Sequence, residues 1–123
     1  MKKLKIAVIG AGFWGRNHVR VLSELPQAEL VAVCDVNRQR AEMIAEKYNI
    51  EAYTSSEELY KRERVDAVNI CVWSTVLFRE ALEALTNGKH VFVEKPMASR
   101  VEEAEKMLET AKSRGLHLTV GFI

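Results

Sequence analysis

The sequence predicts an α/β fold, a single domain built on a doubly wound parallel sheet with strand order 3-2-1-4-5-6. Three observations carry this expectation. Apolar runs and helical patterns alternate from one end of the chain to the other. The apolar runs are continuous rather than alternating, which suits strands covered on both faces. A glycine-rich turn joins the first run to the first helical pattern. The chain has 123 residues, 48% of them hydrophobic and 28% charged, enough to bury one core.

The elements follow in order. Strands are expected at Leu4–Ile9, 30–34, Glu51–Tyr53, 67–72, 90–93 and 116–120, and helices at 14–25, Arg38–Tyr48, 56–61, 75–87 and 100–114. Ser55-Ser56-Glu57-Glu58 and Ser99-Arg100-Val101-Glu102 both fit a capping box, in which Ser and Glu satisfy free helix N–H groups reciprocally. Gly88 and Gly115 stand where the last two helices should stop. Phe78, Ala81, Leu82 and Leu85 form one apolar stripe, and Val101, Ala104, Leu108 and Ala111 another. Both are expected to pack on the sheet. Right-handed crossovers between parallel strands then set the strand order.

Charge and composition narrow the partners. A net charge of +1 gives no reason to expect nucleic acid or an anionic membrane as a partner. No apolar stretch approaches the roughly 20 residues that span a bilayer. Met1-Lys2-Lys3-Leu4-Lys5 is basic, but it runs directly into a strand and a glycine loop, unlike a signal peptide. Cys34 and Cys71 fall at predicted strand ends and read as buried free thiols in a reducing cytoplasm, although neighbouring strand ends leave a disulfide geometrically open. His18, His90 and His117 lack metal-ligand spacing, so no metal is expected. Lys61-Arg62-Glu63-Arg64 reads as a solvated helix end. His18, one turn past the glycine loop, reads as a surface or half-buried helix residue, with a phosphate or partner contact as the alternative.

The chemistry concentrates at Gly10-Ala11-Gly12-Phe13-Trp14-Gly15. A strand precedes this loop, a helix follows it, and Asp35 closes the next strand, which completes the dinucleotide-binding (Rossmann) fingerprint. Gly10 allows the tight turn, Gly12 presents no Cβ to an approaching pyrophosphate, and Gly15 lets the helix lie close on the sheet. The helix N-terminus offers free N–H groups and partial positive charge to phosphates. Asp35 can accept hydrogen bonds from a ribose diol and would repel a 2′-phosphate, favouring NAD over NADP.

A second distinctive stretch is Gly88-Lys89-His90-Val91-Phe92-Val93-Glu94-Lys95-Pro96. It puts Glu94, Lys95 and Pro96 at the carboxyl edge of the fifth strand, where open parallel sheets bind ligands. Together the two stretches resemble the glucose–fructose oxidoreductase and inositol dehydrogenase family of NAD(P)-dependent sugar oxidoreductases, over Leu4 to Gly121. Within it the chain is most similar to dehydrogenases of nucleotide-linked amino sugars. The resemblance implies that Gly10, Gly12 and Gly15, with the backbone of Phe13 and Trp14, hold the pyrophosphate. It places Asp35 on the adenosine ribose and Asn37 and Arg38 beside the adenine end. It places Val72, Trp73, Glu94 and Lys95 toward the nicotinamide, with Lys95 as the substrate-orienting and catalytic lysine, Glu94 beside it, and a cis Lys95–Pro96 bond.

Two departures modify that expectation. Family members follow the fourth strand with Thr-Pro and then a helix histidine, whereas here Trp73 stands near the proline position and Leu77 or Phe78 replaces the histidine. Weaker ordering of the nicotinamide, with adenosine binding retained, is therefore expected. Family members also carry a second α/β domain, which these 123 residues do not include. The expectation is a cofactor-binding half, catalytically incompetent alone. The alternative is a truncated or engineered stand-alone nucleotide-binding or self-associating module. Apolar surface around Trp73, Met97 and Phe122 suggests a homodimer.

Overall fold

The computed structural model of the chain describes residues 3–94, 98 and 100–121. The elements in order are β1 (Leu4–Ile9), α1 (Phe13–Glu24), β2 (Ala28–Cys34), α2 (Arg38–Tyr48), β3 (Glu51–Tyr53) and α3 (Ser56–Arg62). They continue as β4 (Ala67–Ile70), α4 (Ser74–Thr86), β5 (His90–Glu94), α5 (Val101–Ser113) and β6 (Leu118–Gly121). The sheet runs β3-β2-β1-β4-β5-β6, and every adjacent pair is parallel. Topology and element order are those the sequence predicts.

Side chains alternate across a strand, so each strand feeds two cores. Ile6 and Val8 of β1, with Val33 of β2, pack under Val19 and Leu22 of α1 and Ile44 of α2. Ala7 and Ile9 face the other way, joining Ile70 and Val93 beneath Leu59 of α3, Leu77 and Leu85 of α4, and Met107 of α5. Burial on both faces explains why the apolar runs are continuous. Cys34 and Cys71 are both free thiols, with Cys34 buried and Cys71 only half-buried.

Several local expectations need correction. The fourth strand stops at Ile70, where Cys71 N donates to Ile9 O (2.7 Å) and the chain turns out of the sheet. The sixth begins at Leu118, because Leu116 N donates back to Ala111 O (2.9 Å) and so closes the end of α5. The stripe assigned to α5 is rotated. Val101 is 70% and Leu108 51% exposed, whereas of the expected stripe Ala111 enters the core and Ala104 is half-buried, and Met107, outside the stripe, is fully buried. Apolar spacing marks a face, but here the face that packs is set by the position of α4 and the sheet. The capping boxes are also incomplete. Ser55 Oγ accepts from Glu58 N (3.4 Å), but the Glu58 carboxylate takes Arg62 Nε (3.0 Å). Arg100 caps α5 without a side-chain bond, one residue later than the predicted box, and Ser99 lies outside the described residues. Gly88 and Gly115 do take positive φ just beyond their helices.

Candidate dinucleotide-binding site

The strand ends are laced together at the carboxyl edge. Gly10 N donates to Cys34 O (2.7 Å), and Asp35 N donates to Tyr53 O (3.0 Å). With the Cys71 N–Ile9 O bond, these bonds hold together the strand ends whose following loops line one open cavity of about 1030 Å³. Gly10 has φ +102°, and a Cβ there would collide with the Cys71 carbonyl. A Cβ on Gly15 would collide with the Gly10 carbonyl, so this glycine brings α1 against the loop itself rather than the sheet. At Gly12 a Cβ would meet nothing within 4 Å. The loop is tight from behind and open in front, as a backbone cradle for a phosphate must be. Gly12 also caps α1 without a side chain, and the first-turn amides of a helix have no intrahelical acceptor.

Asp35 is the organising acid. Its side chain is only 9% exposed. Oδ2 accepts from Ala11 N (2.8 Å) and Oδ1 from Asn37 N (2.8 Å), while Arg40 Nε stands 3.7 Å from Oδ1. One carboxylate therefore braces the glycine loop and the start of α2, with each oxygen retaining a lone pair for a ligand hydroxyl.

The predicted site residues divide as follows. Gly10, Gly12, Phe13, Trp14, Asp35, Val72, Trp73 and Glu94 line the cavity. Gly15 supports it from behind. Asn37 and Arg38 stand outside the lining. The Asn37 side chain caps α2 by accepting from Arg40 N (3.0 Å), and Arg38 pairs along the helix with Glu42 (4.0 Å). Their neighbours Val36 and Arg40 line the cavity instead. Lys95 and Pro96, and Met97 and Phe122 of the expected exposed patch, lie outside the described residues. Trp73 is 84% exposed and lines the cavity together with Phe13 and Trp14, whose rings meet edge to face at 5.1 Å. Of the two residues offered for the missing histidine, Leu77 reaches the cavity and Phe78 does not.

Sequence reasoning missed two features. Glu80 and Glu83 of α4 line the cavity beyond Asp35, with Ser56 Oγ donating to Glu83 Oε1 (2.6 Å). Burial, reinforced by Glu80, Asp35 and Glu83, pushes the Cys34 thiol from 9.0 up to about 12, so it stays neutral. Burial and Glu94 do the same to Cys71. The other feature is the bonding of His18, which reads from sequence as a surface or half-buried helix residue and is half-buried here. Its Nε2 lies 2.6 Å from Glu94 Oε1 and its Nδ1 3.0 Å from Asn69 Nδ2. A period-3.6 pattern cannot reveal a bond between α1 and β5.

A six-stranded doubly wound sheet with a glycine cradle, a helix N-terminus and a bracing acid defines a dinucleotide-binding domain. Among the described residues no helix is long and apolar enough to cross a membrane. Comparison with known proteins fixes the family. The chain belongs to the oxidoreductase family with an NAD-binding Rossmann fold, whose model matches residues 4–122. It is 35% identical to the inositol 2-dehydrogenase/D-chiro-inositol 3-dehydrogenase of Halalkalibacterium halodurans over 98% of this chain, but only 36% of that protein. It is 37% identical to glucose-6-phosphate 3-dehydrogenase of Bacillus subtilis, over 96% of this chain and 33% of that one. Among solved structures, GenD2 from gentamicin A biosynthesis, in complex with NAD, superposes with a TM-score of 0.94 at 26% identity, covering 98% of this chain and 35% of its own. The WlbA dehydrogenase from Bordetella pertussis, in complex with NADH and UDP-GlcNAcA, gives 0.92 at 26%, covering 98% and 37%. The chain thus spans about a third of the length of the relatives it matches, and it constitutes their NAD-binding domain.

Proposed function

We propose that this domain holds NAD across the carboxyl edge of its sheet, as the cofactor half of a dehydrogenase acting on a sugar or nucleotide-sugar carbinol. The observation that carries the reading is the cradle: Gly12 open to solvent, directly beside the helix N-terminus and Asp35. Gly10, Gly12, Phe13, Trp14 and Gly15 would take the pyrophosphate and Asp35 the adenosine ribose. Asn37 and Arg38 would act through the loop and helix they brace. Val72, Trp73, Glu94 and Lys95 would face the nicotinamide, with Lys95 and Glu94 serving substrate. NAD supplies a hydride acceptor when bound.

The acids argue for NAD over NADP. Asp35, Glu57, Glu80 and Glu83 all line the cavity, so a 2′-phosphate added near Asp35 would be repelled. Arg40 and Arg79 also line the cavity and pull the other way, but they are engaged with Asp35 and Glu80. The free thiols fit a reducing cytoplasm. The exposed Trp73 is the candidate contact for self-association, which sedimentation of Trp73→Ala beside the parent would test.

Alone, the domain should bind cofactor without turnover, because hydride transfer also needs a carbinol carbon held against the nicotinamide and a general base. Calorimetric titration with NAD and NADP, followed by NAD-reduction assays on sugars and nucleotide sugars, tests both halves. Tighter binding of NAD with no turnover is expected. Turnover above background would refute incompetence, and absence of binding at millimolar NAD would refute the cradle. Crystals with NAD should show an ordered adenosine half and a weaker nicotinamide, and a fully ordered ring would count against the role given to Trp73.

A further inference from the structure

The His18–Glu94 pair is too well built to be incidental helix packing. Both side chains are largely buried, 13% and 18% exposed, and they join elements 76 residues apart. Asn69, in the middle of β4, offers its amide Nδ2 to His18 Nδ1. In this orientation the amide N–H₂ donates, Nδ1 accepts and Nε2 carries a proton. That proton is then donated to Glu94 Oε1 at 2.6 Å. The Phe92 ring, 5.7 Å away, covers the imidazole from the side. Glu94 lines the cavity, and its second oxygen, Oε2, is buried without a hydrogen-bond partner among the described residues.

A buried carboxylate oxygen with an empty lone pair, on the wall of a ligand cavity, is open to a donor, whether a water or a group that arrives with the ligand. Phosphates carry no proton to give and would be repelled. The position selects among the remaining donors. Asp35 directly follows β2, one strand from the glycine loop, and Glu94 ends β5, two strands away on the opposite side. At about 4.8 Å per strand, Glu94 stands roughly 10 Å beyond the cradle, where the sugar following the pyrophosphate would lie.

Resting on the cofactor reading above, we propose that His18 is a positioning residue. Its imidazole, oriented by Asn69, pins Glu94 Oε1 and so aims Oε2 at a hydroxyl of the ribose on the nicotinamide side. Glu94 makes the contact, and His18 and Asn69 decide where it points.

The test separates ligand halves. ADP, ADP-ribose and NAD are titrated into the chain and into His18→Leu, His18→Gln and Glu94→Gln. ADP stops at the pyrophosphate, and ADP-ribose adds the second ribose without nicotinamide. His18→Leu and Glu94→Gln should weaken ADP-ribose and NAD about tenfold and leave ADP unchanged. His18→Gln, which retains a donor, should recover most of the loss. In parallel, two-bond ¹H–¹⁵N spectra of the unliganded chain should show His18 protonated on Nε2 alone. The proposal fails if ADP weakens in step with ADP-ribose, since the effect is then structural. It also fails if NAD alone weakens, since the donor is then the carboxamide, or if the proton lies on Nδ1. Should the parent chain bind none of the three ligands, the cofactor reading falls and takes this inference with it, whatever the tautomer. Glu94→Gln, close in shape to the parent, keeps the test decisive if His18→Leu does not fold.

Discussion

Asp35→Ala should damage the fold and the cofactor preference through the same lost carboxylate. In the native structure Oδ2 satisfies Ala11 N and Oδ1 satisfies Asn37 N, both at 2.8 Å. Asn37 is exposed, so water can replace one of these bonds, but Ala11 is fully buried. Leaving a buried N–H unpaired costs about 1–3 kcal/mol. For a domain of this size that lowers Tm by roughly 4–15 °C, read by differential scanning calorimetry. The ligand effect is separate. Losing a charged acceptor for the ribose diol should weaken NAD by about tenfold. The same change frees Arg40, 3.7 Å from the lost oxygen, to meet a 2′-phosphate, so NADP should weaken less or improve. The measurement is the NAD/NADP affinity ratio by titration calorimetry, for parent and variant. An unchanged ratio would remove Asp35 from the ligand site, and an unchanged Tm would refute its role in bracing the loop.

Other outcomes follow from the same geometry. Gly15→Ala drives a Cβ into the Gly10 carbonyl, so it should abolish NAD binding by calorimetry and lower Tm. On α5, Met107→Ala should cost about 2–5 kcal/mol in urea denaturation, whereas Leu108→Ala on the exposed face should stay within about 0.5 kcal/mol. Equal losses would restore the stripe read from the sequence. The Cys34 thiol holds its proton more tightly folded, at about 12, than unfolded, at 9.0. Its contribution is therefore complete below pH 9.0 and is lost as pH rises toward 12. Stability by denaturant titration should fall across that window, and Cys34→Ser should flatten the fall.

What the sequence made legible follows from how local each signal is. The glycine loop, Asp35 and the strand order are each written in a few adjacent residues or in continuous apolar runs, and the structure reproduces them. The face of α5 that packs is not local. Val101, Leu108 and Ala111 share a spacing that satisfies helical periodicity, yet only Ala111 of the three enters the core, beside Met107, which the stripe did not include. Asn37 and Arg38 follow Asp35 in sequence, but the turn into α2 spends one as a cap and points the other at Glu42. His18 and the acids of α4 became visible only when separate elements met: α1 against β5, and α4 against the end of β2.

The most direct test of the central claim is a crystal structure of this chain with NAD. The account predicts the pyrophosphate over Gly12 at the N-terminus of α1, with the adenosine ribose hydroxyls on Asp35. A dinucleotide bound anywhere else, or a pyrophosphate displaced from Gly12 with Asp35 still bonded only to Ala11 and Asn37, would contradict it.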